Sequence, residues 1–384
     1  MFSSQDIDTA VHIRRDLHQH PELKYEEHRT AALVAERLNQ LGFQVSTGIA
    51  HTGVVGLLMT QRPGPVIAFR ADMDALPIEE ATGKPYQSVY AGKMHACGHD
   101  GHTASLLLAA AWLAANRDQL CGTIKLLFQP AEEGGNGAAQ MVAEGVLQHP
   151  TVDAIFGYHN RPGHPAGRLL LRSGATMGGS DTYHVCLHGT SGHAAMPHLA
   201  KDPIYMAANL IQQTQGVVGR LKSPLQAGLI TVSAIHAGLA DNAIPDHVNL
   251  TLNIRSDSPT TRSQLLDQLD LLLHGCCAPF GGRYTKTLVN SMPPLINPAP
   301  SVAAVQAAVQ QHLPTVEIDQ LEAMPTMGSE DFAFYLAQTA GCYFFIGNGT
   351  DGPYVHNQGY DFNDDILPTA AGVFVAIAQH YCAR

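Results

Sequence analysis

The chain has 384 residues, about two to three domains' worth, of which 45% are hydrophobic and 14% are charged. These proportions describe a globular protein with a large core and exclude disorder, a collagen-like repeat and a coiled coil. Acidic residues outnumber basic ones by 33 to 22, a formal net charge of −11, which argues against a general affinity for nucleic acid phosphates or anionic lipid. A small molecule is the better partner.

The first third of the chain alternates helical and strand patterns. Its predicted elements are, in chain order, an amphipathic run over about 8–41, strands at 53–59 and 66–69, a helix at 103–116, a strand at 123–128, a helix at about 138–147 and a strand at 154–158. This order predicts an α/β sheet with helices on both faces.

From about residue 182 the pattern changes to the order β-α-β-β-α-β. The predicted elements are strands at 182–188, 229–236, 248–254 and 283–289, with helices at 203–221 and 260–273. This order is typical of a ferredoxin-like α+β domain. Segments rich in Gly, Pro and Ser flank it at 173–180 and 290–300, which indicates domain boundaries there.

The last segment combines a helix at 302–312, an apolar strand at 342–346 and a helix at 370–381, and is expected to return to the first sheet. The sequence therefore predicts a discontinuous catalytic α/β domain over 1–178 and 292–384. A smaller lid or dimerisation domain over 179–291 interrupts it.

The chain begins with a polar segment that has no apolar core of the kind found in signal peptides, and no apolar run reaches membrane-spanning length. Its seven cysteines are odd in number and scattered, as expected of free thiols in a reducing compartment. These features predict a cytoplasmic protein.

Side chains that bind metals follow several predicted strands. They are Asp72, Asp74, Glu132, Glu133, His159 and His356, together with Cys97 and His99 at a helix entrance. Because functional groups gather beyond the carboxyl ends of strands in open α/β sheets, we expect these side chains to converge. Each alone fits an ordinary structural role, but the set suits zinc, manganese, cobalt or nickel and has too many donors for one open catalytic zinc.

Several long motifs occur in a family-specific order. They are Met-His-Ala-Cys-Gly-His-Asp-Gly-His-Thr (94–103), Phe-Gln-Pro-Ala-Glu-Glu-Gly (128–134), Gly-Thr-Ser-Gly-His-Ala-Ala-Met-Pro-His (189–198), Gly-Ser-Glu-Asp-Phe-Ala (328–333) and His-Asn (356–357). With the start at 14–23, they resemble the aminoacylase and carboxypeptidase family of binuclear metalloenzymes. The match is best to its amidohydrolase branch, which includes hippurate hydrolases and indoleacetyl-amino-acid hydrolases.

This resemblance implies a centre of two divalent metal ions. Cys97 corresponds to the ligand that bridges both ions, in a position where peptidase relatives carry an aspartate. His99 and Glu133 would complete one site, and His159 and His356 the other. Asp74 corresponds to a carboxylate that orients a site residue.

The resemblance also implies roles for residues around the metals. Glu132 would be the general base for a metal-bridging hydroxide that attacks an amide carbonyl. His193 would reach across a homodimer to stabilise the oxyanion in the partner's site. Asn242 and Arg255 would hold the substrate's free carboxylate, and Gly328 would line the pocket.

The activity that the resemblance implies is hydrolysis of N-acyl amino acids to a carboxylic acid and a free amino acid. A dipeptidase or carboxypeptidase with the same binuclear site is an alternative. Two further alternatives are a hydrolase with Cys97 as its nucleophile and a non-enzymatic protein that binds acyl amino acids.

Overall fold

The computed structural model describes residues 1–321 and 326–382, which form two compact units. Unit 1 contains Met1–Gly174, Asn297–Leu321 and 334–382, and unit 2 contains Ala175–Ile296 and 326–333. Unit 2 thus includes the described part of a segment that the predicted boundaries place in the catalytic domain.

The helices and strands have the following bounds. The helices are α1 (Ser4–Gln19), α2 (His28–Gln40), α3 (His99–Ala115), α4 (Glu132–Gly135), α5 (Gly137–Ala143), α6 (Pro203–Gly216), α7 (Pro259–Cys277), α8 (Ala299–His312), α9 (Ala333–Leu336) and α10 (Leu367–Cys382). The strands are β1 (Gln44–Ile49), β2 (Gly53–Met59), β3 (Val66–Asp72), β4 (Thr123–Gln129), β5 (Ala154–Pro162), β6 (Leu169–Leu171), β7 (Gly174–Met177), β8 (Gly179–His188), β9 (Gly192–His193), β10 (Gly228–Ala237), β11 (Ala243–Ile244), β12 (His247–Ser256), β13 (Arg283–Met292), β14 (Leu295–Asn297), β15 (Ile318–Gln320) and β16 (Ala340–Gly349).

Unit 1 is built on an eight-stranded mixed sheet in the order β1-β2-β4-β3-β5-β16-β6-β15. Its central strands β4, β3, β5 and β16 are parallel. Strands β3, β4 and β5 are buried along most of their length, as expected for parallel strands covered on both faces. The predicted α/β class is confirmed, and the carboxyl ends of the parallel strands lie at one edge of the sheet.

The amphipathic run predicted over 8–41 forms two helices, α1 and α2, because Pro21 cannot continue a helix. Helix α1 starts at a capping box in which Ser3 Oγ accepts from the Asp6 amide and the Asp6 carboxylate accepts from the Ser3 amide. The 20–27 segment between α1 and α2 runs along unit 1 as a turn.

Helices α3 and α10 pack on each other in the core of unit 1. Both are apolar on almost all sides, and 11 of the 16 residues of α10 are buried. Among the residues that the structure describes, no helix is both long enough and apolar enough to cross a membrane.

Unit 2 contains the predicted order β-α-β-β-α-β as β8, α6, β10, β12, α7 and β13. Its antiparallel sheet has the strand order β10-β12-β8-β13. Helices α6 and α7 pack on one face of the sheet and bury a separate apolar core. The side chains of Asp202 and Ser258 cap the two helix starts. The ferredoxin-like expectation is therefore confirmed.

Candidate binuclear metal site

The start of α3 places two metal-binding side chains on either side of Gly98. Gly98 has a left-handed backbone with φ of +94°, and a Cβ there would lie 2.4 Å from Asn160 Oδ1. Only glycine fits this position without strain. The tight turn lets buried Cys97 and buried His99 both face the edge of the sheet.

His159 approaches Cys97 from β5, inside the strand and not after its end as the sequence predicts. Its Nε2 lies 3.2 Å from Cys97 Sγ, and its Nδ1 lies 2.7 Å from the Asn160 carbonyl oxygen. That carbonyl fixes the proton on Nδ1 and leaves Nε2 as an electron-pair donor. Burial, and after it the His102 ring, hold the pKa of His159 well below its usual range, so the ring is neutral.

Asp74 contacts two of the predicted ligands. Its Oδ1 lies 3.2 Å from His99 Nδ1, and its Oδ2 accepts a 2.9 Å hydrogen bond from the Glu133 amide. A carboxylate behind a metal-binding imidazole fixes the tautomer of the ring and its direction. The Asp74 side chain thus aligns both the His99 ring and the backbone that carries Glu133.

Glu132 and Glu133 lie on a short turn, α4, whose backbone is irregular. Ala131 before it is left-handed with φ of +55°, and Glu133 departs from helical geometry with ψ of +68°. These angles direct successive side chains differently from a regular helix. His356 approaches this turn, with its Nε2 3.1 Å from Glu133 Oε1.

The five predicted ligands come together in overlapping groups whose donor atoms lie within 4.8 Å of one another. One group is Cys97, His99 and His159, and another is Cys97, Glu133 and His356. Cys97 is common to both, as a bridging ligand would be. The two groups that contain Cys97 place His99 with His159 and Glu133 with His356, whereas the resemblance paired His99 with Glu133 and His159 with His356. Glu132 lies in a further group with His99 and Glu133.

The chemistry of this donor set fits two divalent cations. The fully buried His99 Nε2 has no hydrogen-bond partner among the described residues, although its Nδ1 is held by Asp74. Burial, and after it Glu133 and Glu132, raise the pKa of the Cys97 thiol well above its usual range. A bound cation would remove this electrostatic cost and stabilise the thiolate.

His102, for which the sequence predicts no role, supports the site through Asp72, a predicted metal-binding side chain, and through Asn160. His102 Nδ1 lies 2.6 Å from Asp72 Oδ1, and His102 Nε2 lies 2.7 Å from Asn160 Oδ1. Asp72 also accepts from Arg70 Nη1 at 2.5 Å. Burial opposes ionisation of Asp72, but His99, Arg70 and His102 outweigh it and hold the pKa of this carboxyl well below its usual range. The spacing of His102 three residues after His99, on one helix face, was the available signal.

A buried ionic cluster lies beneath the start of α3. Arg14 Nε contacts Asp100 Oδ2 at 3.0 Å and also pairs with Asp361. His18 Nδ1 lies 2.8 Å from Asp100, and His18 Nε2 lies 3.2 Å from Glu80. Burial disfavours the charged ring, but Asp100 and Glu80 outweigh it and raise the pKa of His18 to about 9.

The free energy of unfolding is therefore expected to fall between pH 6.5 and 9. A histidine pKa raised on folding adds stability that is complete below its unfolded value of 6.5 and is lost as pH rises through 9, on the order of 3 kcal/mol here. Urea unfolding followed by the fluorescence of Trp112 in α3 measures it. His18→Gln should flatten this decline, while His20→Gln, at a partly exposed neighbour, should keep it. An equal decline in His18→Gln would contradict the assignment.

In unit 2, His193 and Asn242 lie close together on neighbouring short segments. Strands β9 and β11 pair antiparallel, and the Ala194 amide donates to the Asn242 carbonyl oxygen at 3.0 Å. His193 is exposed, and its Nδ1 accepts from the Ala195 amide at 3.1 Å. In the neutral ring the proton then lies on Nε2, which is the atom free to donate.

Arg255 lies on β12 of unit 2 and is half-buried. Its Nε donates to Asn253 Oδ1 at 2.7 Å, and its Nη1 donates to Ser329 Oγ at 3.0 Å. These contacts bring it beside the backbone on both sides of Gly328. Among the described residues no carboxylate pairs with Arg255, and burial lowers its pKa. A guanidinium in this state can accept an external carboxylate.

Both the sequence and the fold of the chain are similar to those of known proteins. Residues 68–380 match the profile of peptidase family M20/M25/M40. The chain is 37% identical over 369 residues to the hippurate hydrolase of Campylobacter jejuni, covering 96% of this chain and 95% of that protein. It is 36% identical over 381 residues to thermostable carboxypeptidase 1 of Saccharolobus solfataricus, covering 97% and 95%. The solved structure of the Bacillus subtilis YXEP protein, a dinuclear metal binding peptidase, superposes with a TM-score of 0.86 at 29% identity, covering 99% of each chain.

Proposed function

Because the chain belongs to peptidase family M20/M25/M40, we propose that it hydrolyses N-acyl amino acids to a carboxylic acid and a free amino acid. It is a metal-dependent hydrolase of linear amide bonds with two divalent metal ions. The observation that carries the proposal is the convergence of five metal donors beside Glu132. The similarity to a hippurate hydrolase supports the substrate class, since hippurate is N-benzoylglycine.

We propose that Cys97 serves both metal ions. His99 and His159 complete one set of ligands, and Glu133 and His356 the other, following the donor groups of the structure. Bound at these donors, the ions would lower the pKa of a water molecule and polarise the amide carbonyl. Zinc, manganese, cobalt and nickel all suit this mixture of thiolate, imidazole and carboxylate.

Glu132 is the proposed general base and acid. Glu132 is only 8% exposed, and its carboxylate lies beside the Glu133 and His99 donors. From there it can take a proton from the attacking water and return it to the leaving amine nitrogen. Asp74 keeps the Glu132–Glu133 backbone and the His99 ring in place for this transfer.

The remaining substrate contacts are assigned to unit 2. Arg255 and Asn242 hold the free carboxylate of the substrate, and Gly328 lines the pocket without a side chain. The Nε2 proton of His193 donates to the oxyanion that forms when the carbonyl is attacked. We assign His193 to the site of a partner copy in a homodimer, and the exposed apolar side chains of Leu199 and Tyr205 in the same unit support such an interface.

Turnover assays test the proposed function. Release of glycine from N-benzoylglycine or N-acetylglycine, lost on chelation and restored by manganese, cobalt or zinc, is the expected result. Activity that survives complete metal removal would contradict a metal mechanism and favour Cys97 as nucleophile. The structure does not favour that alternative, because a nucleophilic cysteine needs a lowered pKa and the pKa of Cys97 is raised.

A carboxypeptidase or dipeptidase is the second candidate, supported by the similarity to thermostable carboxypeptidase 1. The two functions differ in the group that carries the carbonyl of the cleaved bond, which is an acyl group without a free amine in the first and an amino acid residue in the second. Hydrolysis of unblocked dipeptides at rates similar to those of N-acyl amino acids would favour the second candidate. Blocked substrates alone would favour the first.

Mixing two inactive variants tests the assignment of His193 to a partner. His193→Ala and Glu132→Gln chains form heterodimers in which one site has both residues intact, so about a quarter of all sites regain function after random exchange in a twofold dimer. The measurement is turnover before and after subunit exchange. A mixture of Glu132→Gln with His356→Ala should stay inactive, because both changes affect unit 1. No recovery in the first mixture would place His193 in its own chain's site or outside the reaction.

We also propose a cytoplasmic location. All seven cysteines are free thiols in the structure. Cys97 must stay reduced to bind metal as a thiolate, and a reducing compartment ensures this.

A further inference from the structure

The 20–27 segment between α1 and α2 carries a buried carboxyl that the proposed reaction does not use. Glu27 is fully buried, and its Oε1 accepts from the Ala131 amide and from the Tyr25 amide, both at 2.9 Å. Its Oε2 accepts from Thr52 Oγ1 at 2.5 Å. Among the described residues no cation pairs with Glu27, so hydrogen bonds alone compensate its burial.

The hydrogen bond from the Ala131 amide to Glu27 lies at a strained position directly before α4, the turn that carries Glu132 and Glu133. Ala131 has a left-handed backbone and directly precedes Glu132. This conformation is unfavourable for a residue with a Cβ and persists only where the surroundings hold it. A change in the Ala131 dihedrals would rotate the side chains of both Glu132 and Glu133, because they are the next two residues.

Two residues close to Glu27 in the sequence form hydrogen bonds with the same turn. Tyr25 Oη donates to the Gly135 carbonyl oxygen at 2.6 Å, and Lys24 Nζ donates to the Glu133 carbonyl oxygen at 3.1 Å. Both contacts are made to backbone atoms of α4. The segment therefore forms hydrogen bonds with Ala131, directly before the turn, and with two backbone carbonyl groups inside the turn. Of these three contacts, only the one made by Glu27 is fully buried.

We propose that Glu27 is a positioning residue that holds Ala131 left-handed and thereby aims the Glu132 carboxylate at the reacting water. This role rests on the proposed function of Glu132 as the general base. It acts through the backbone, since the side chain of Glu27 accepts hydrogen bonds from Tyr25, Thr52 and Ala131, and none of these is a proposed metal ligand.

The acceptor geometry defines which substitution preserves the role. Burial raises the pKa of Glu27 to about 7; the hydrogen bond from Thr52 opposes this increase, and the charge of Asp74 adds to it. Both protonation states therefore occur near neutrality. In either state Oε1 can accept from the two amides, while Oε2 accepts from the Thr52 hydroxyl or donates to it. A glutamine amide repeats the second arrangement, whereas methionine has the same length and no acceptor.

Steady-state kinetics on N-benzoylglycine with metal-loaded protein tests the proposal. Glu27→Met is expected to lower kcat by about 10- to 100-fold with KM nearly unchanged and two metals still bound, because small misplacement of a catalytic group costs rate and not ground-state binding. Glu27→Gln should stay within about threefold of wild type, since its geometry rescues the contact. Glu26→Met, the same change at the exposed neighbouring residue, should have no effect.

Hydrogen exchange of the metal-free protein gives a readout that does not depend on activity. In wild type the Ala131 amide should exchange slowly, and in Glu27→Met the amides of 131–137 should lose protection that Glu27→Gln keeps. Equal kinetics for the Met and Gln variants, or an Ala131 amide in wild type that exchanges as fast as an open loop, would overturn the proposal. If wild type cleaves no N-acyl amino acid, the proposed function fails, while the exchange data still decide whether Glu27 holds the turn.

Discussion

Replacing Glu132 with Gln is expected to lower kcat by about 10²- to 10⁴-fold while the fold and the metal content stay unchanged. Glutamine keeps the size and the hydrogen-bonding outline of the side chain but cannot accept a proton from the attacking water. The loss should appear in kcat and in kcat/KM alike, because the proton transfer occurs only on the way to the transition state. Steady-state kinetics and elemental analysis of the same preparation measure both quantities.

Glu133→Gln is the matched control for this prediction. Glu133 belongs to a metal-donor group with Cys97 and His356, so its loss should reduce metal content along with rate. Glu132→Gln should lose rate alone. A Glu132→Gln enzyme with near-normal kcat would remove Glu132 from the reaction, and one with reduced metal content would make it a ligand.

The fold could be predicted from the sequence where hydrophobic patterns are strong. Strand β2 has the predicted bounds, and the β-α-β-β-α-β order of unit 2 is present in full. Strand β1 was missed because its residues, Gln44 to Ile49, are largely exposed and show no alternation of apolar and polar side chains. The amphipathic pattern over 8–41 continues across the boundary between α1 and α2, so hydrophobicity alone does not separate the two helices. Pro21 is the local signal that does.

The candidate site was predictable in residue type but not in arrangement. The sequence shows which side chains follow the strands, because that depends on local order alone. Which donors share a metal depends on backbone angles, such as those of Gly98 and Ala131, that bring distant segments together. The bond from Ala131 to Glu27 joins residues 104 positions apart, and no periodicity in the chain indicates it.

Replacing Arg255 is expected to weaken the hydrolysis of N-acyl amino acids and to leave their carboxamide analogues nearly unaffected. Arg255 is a half-buried cation without a carboxylate partner among the described residues, so the substrate's own carboxylate can supply the missing charge. Breaking such a pair costs about 2 to 5 kcal/mol, or about 30-fold to several thousand-fold in kcat/KM. Arg255→Ala should show this loss with N-benzoylglycine.

Three comparisons separate charge recognition from a general loss of structure. Arg255→Lys keeps the charge but loses the planar fork that Asn253 and Ser329 now orient, so it should fall between wild type and Arg255→Ala. Arg283→Ala removes an exposed arginine from β13 of the same unit and should change nothing. N-benzoylglycinamide has no carboxylate, so wild type should cleave it poorly and the Arg255 variants should cleave it equally poorly.

If wild type cleaves amide and acid equally well, or if the ratio between them is unchanged in Arg255→Ala, Arg255 does not bind the carboxylate. If wild type still prefers the acid while Arg255→Ala keeps the same ratio, that preference must come from other groups, of which Asn242 is the next candidate because it is the second residue assigned to the carboxylate.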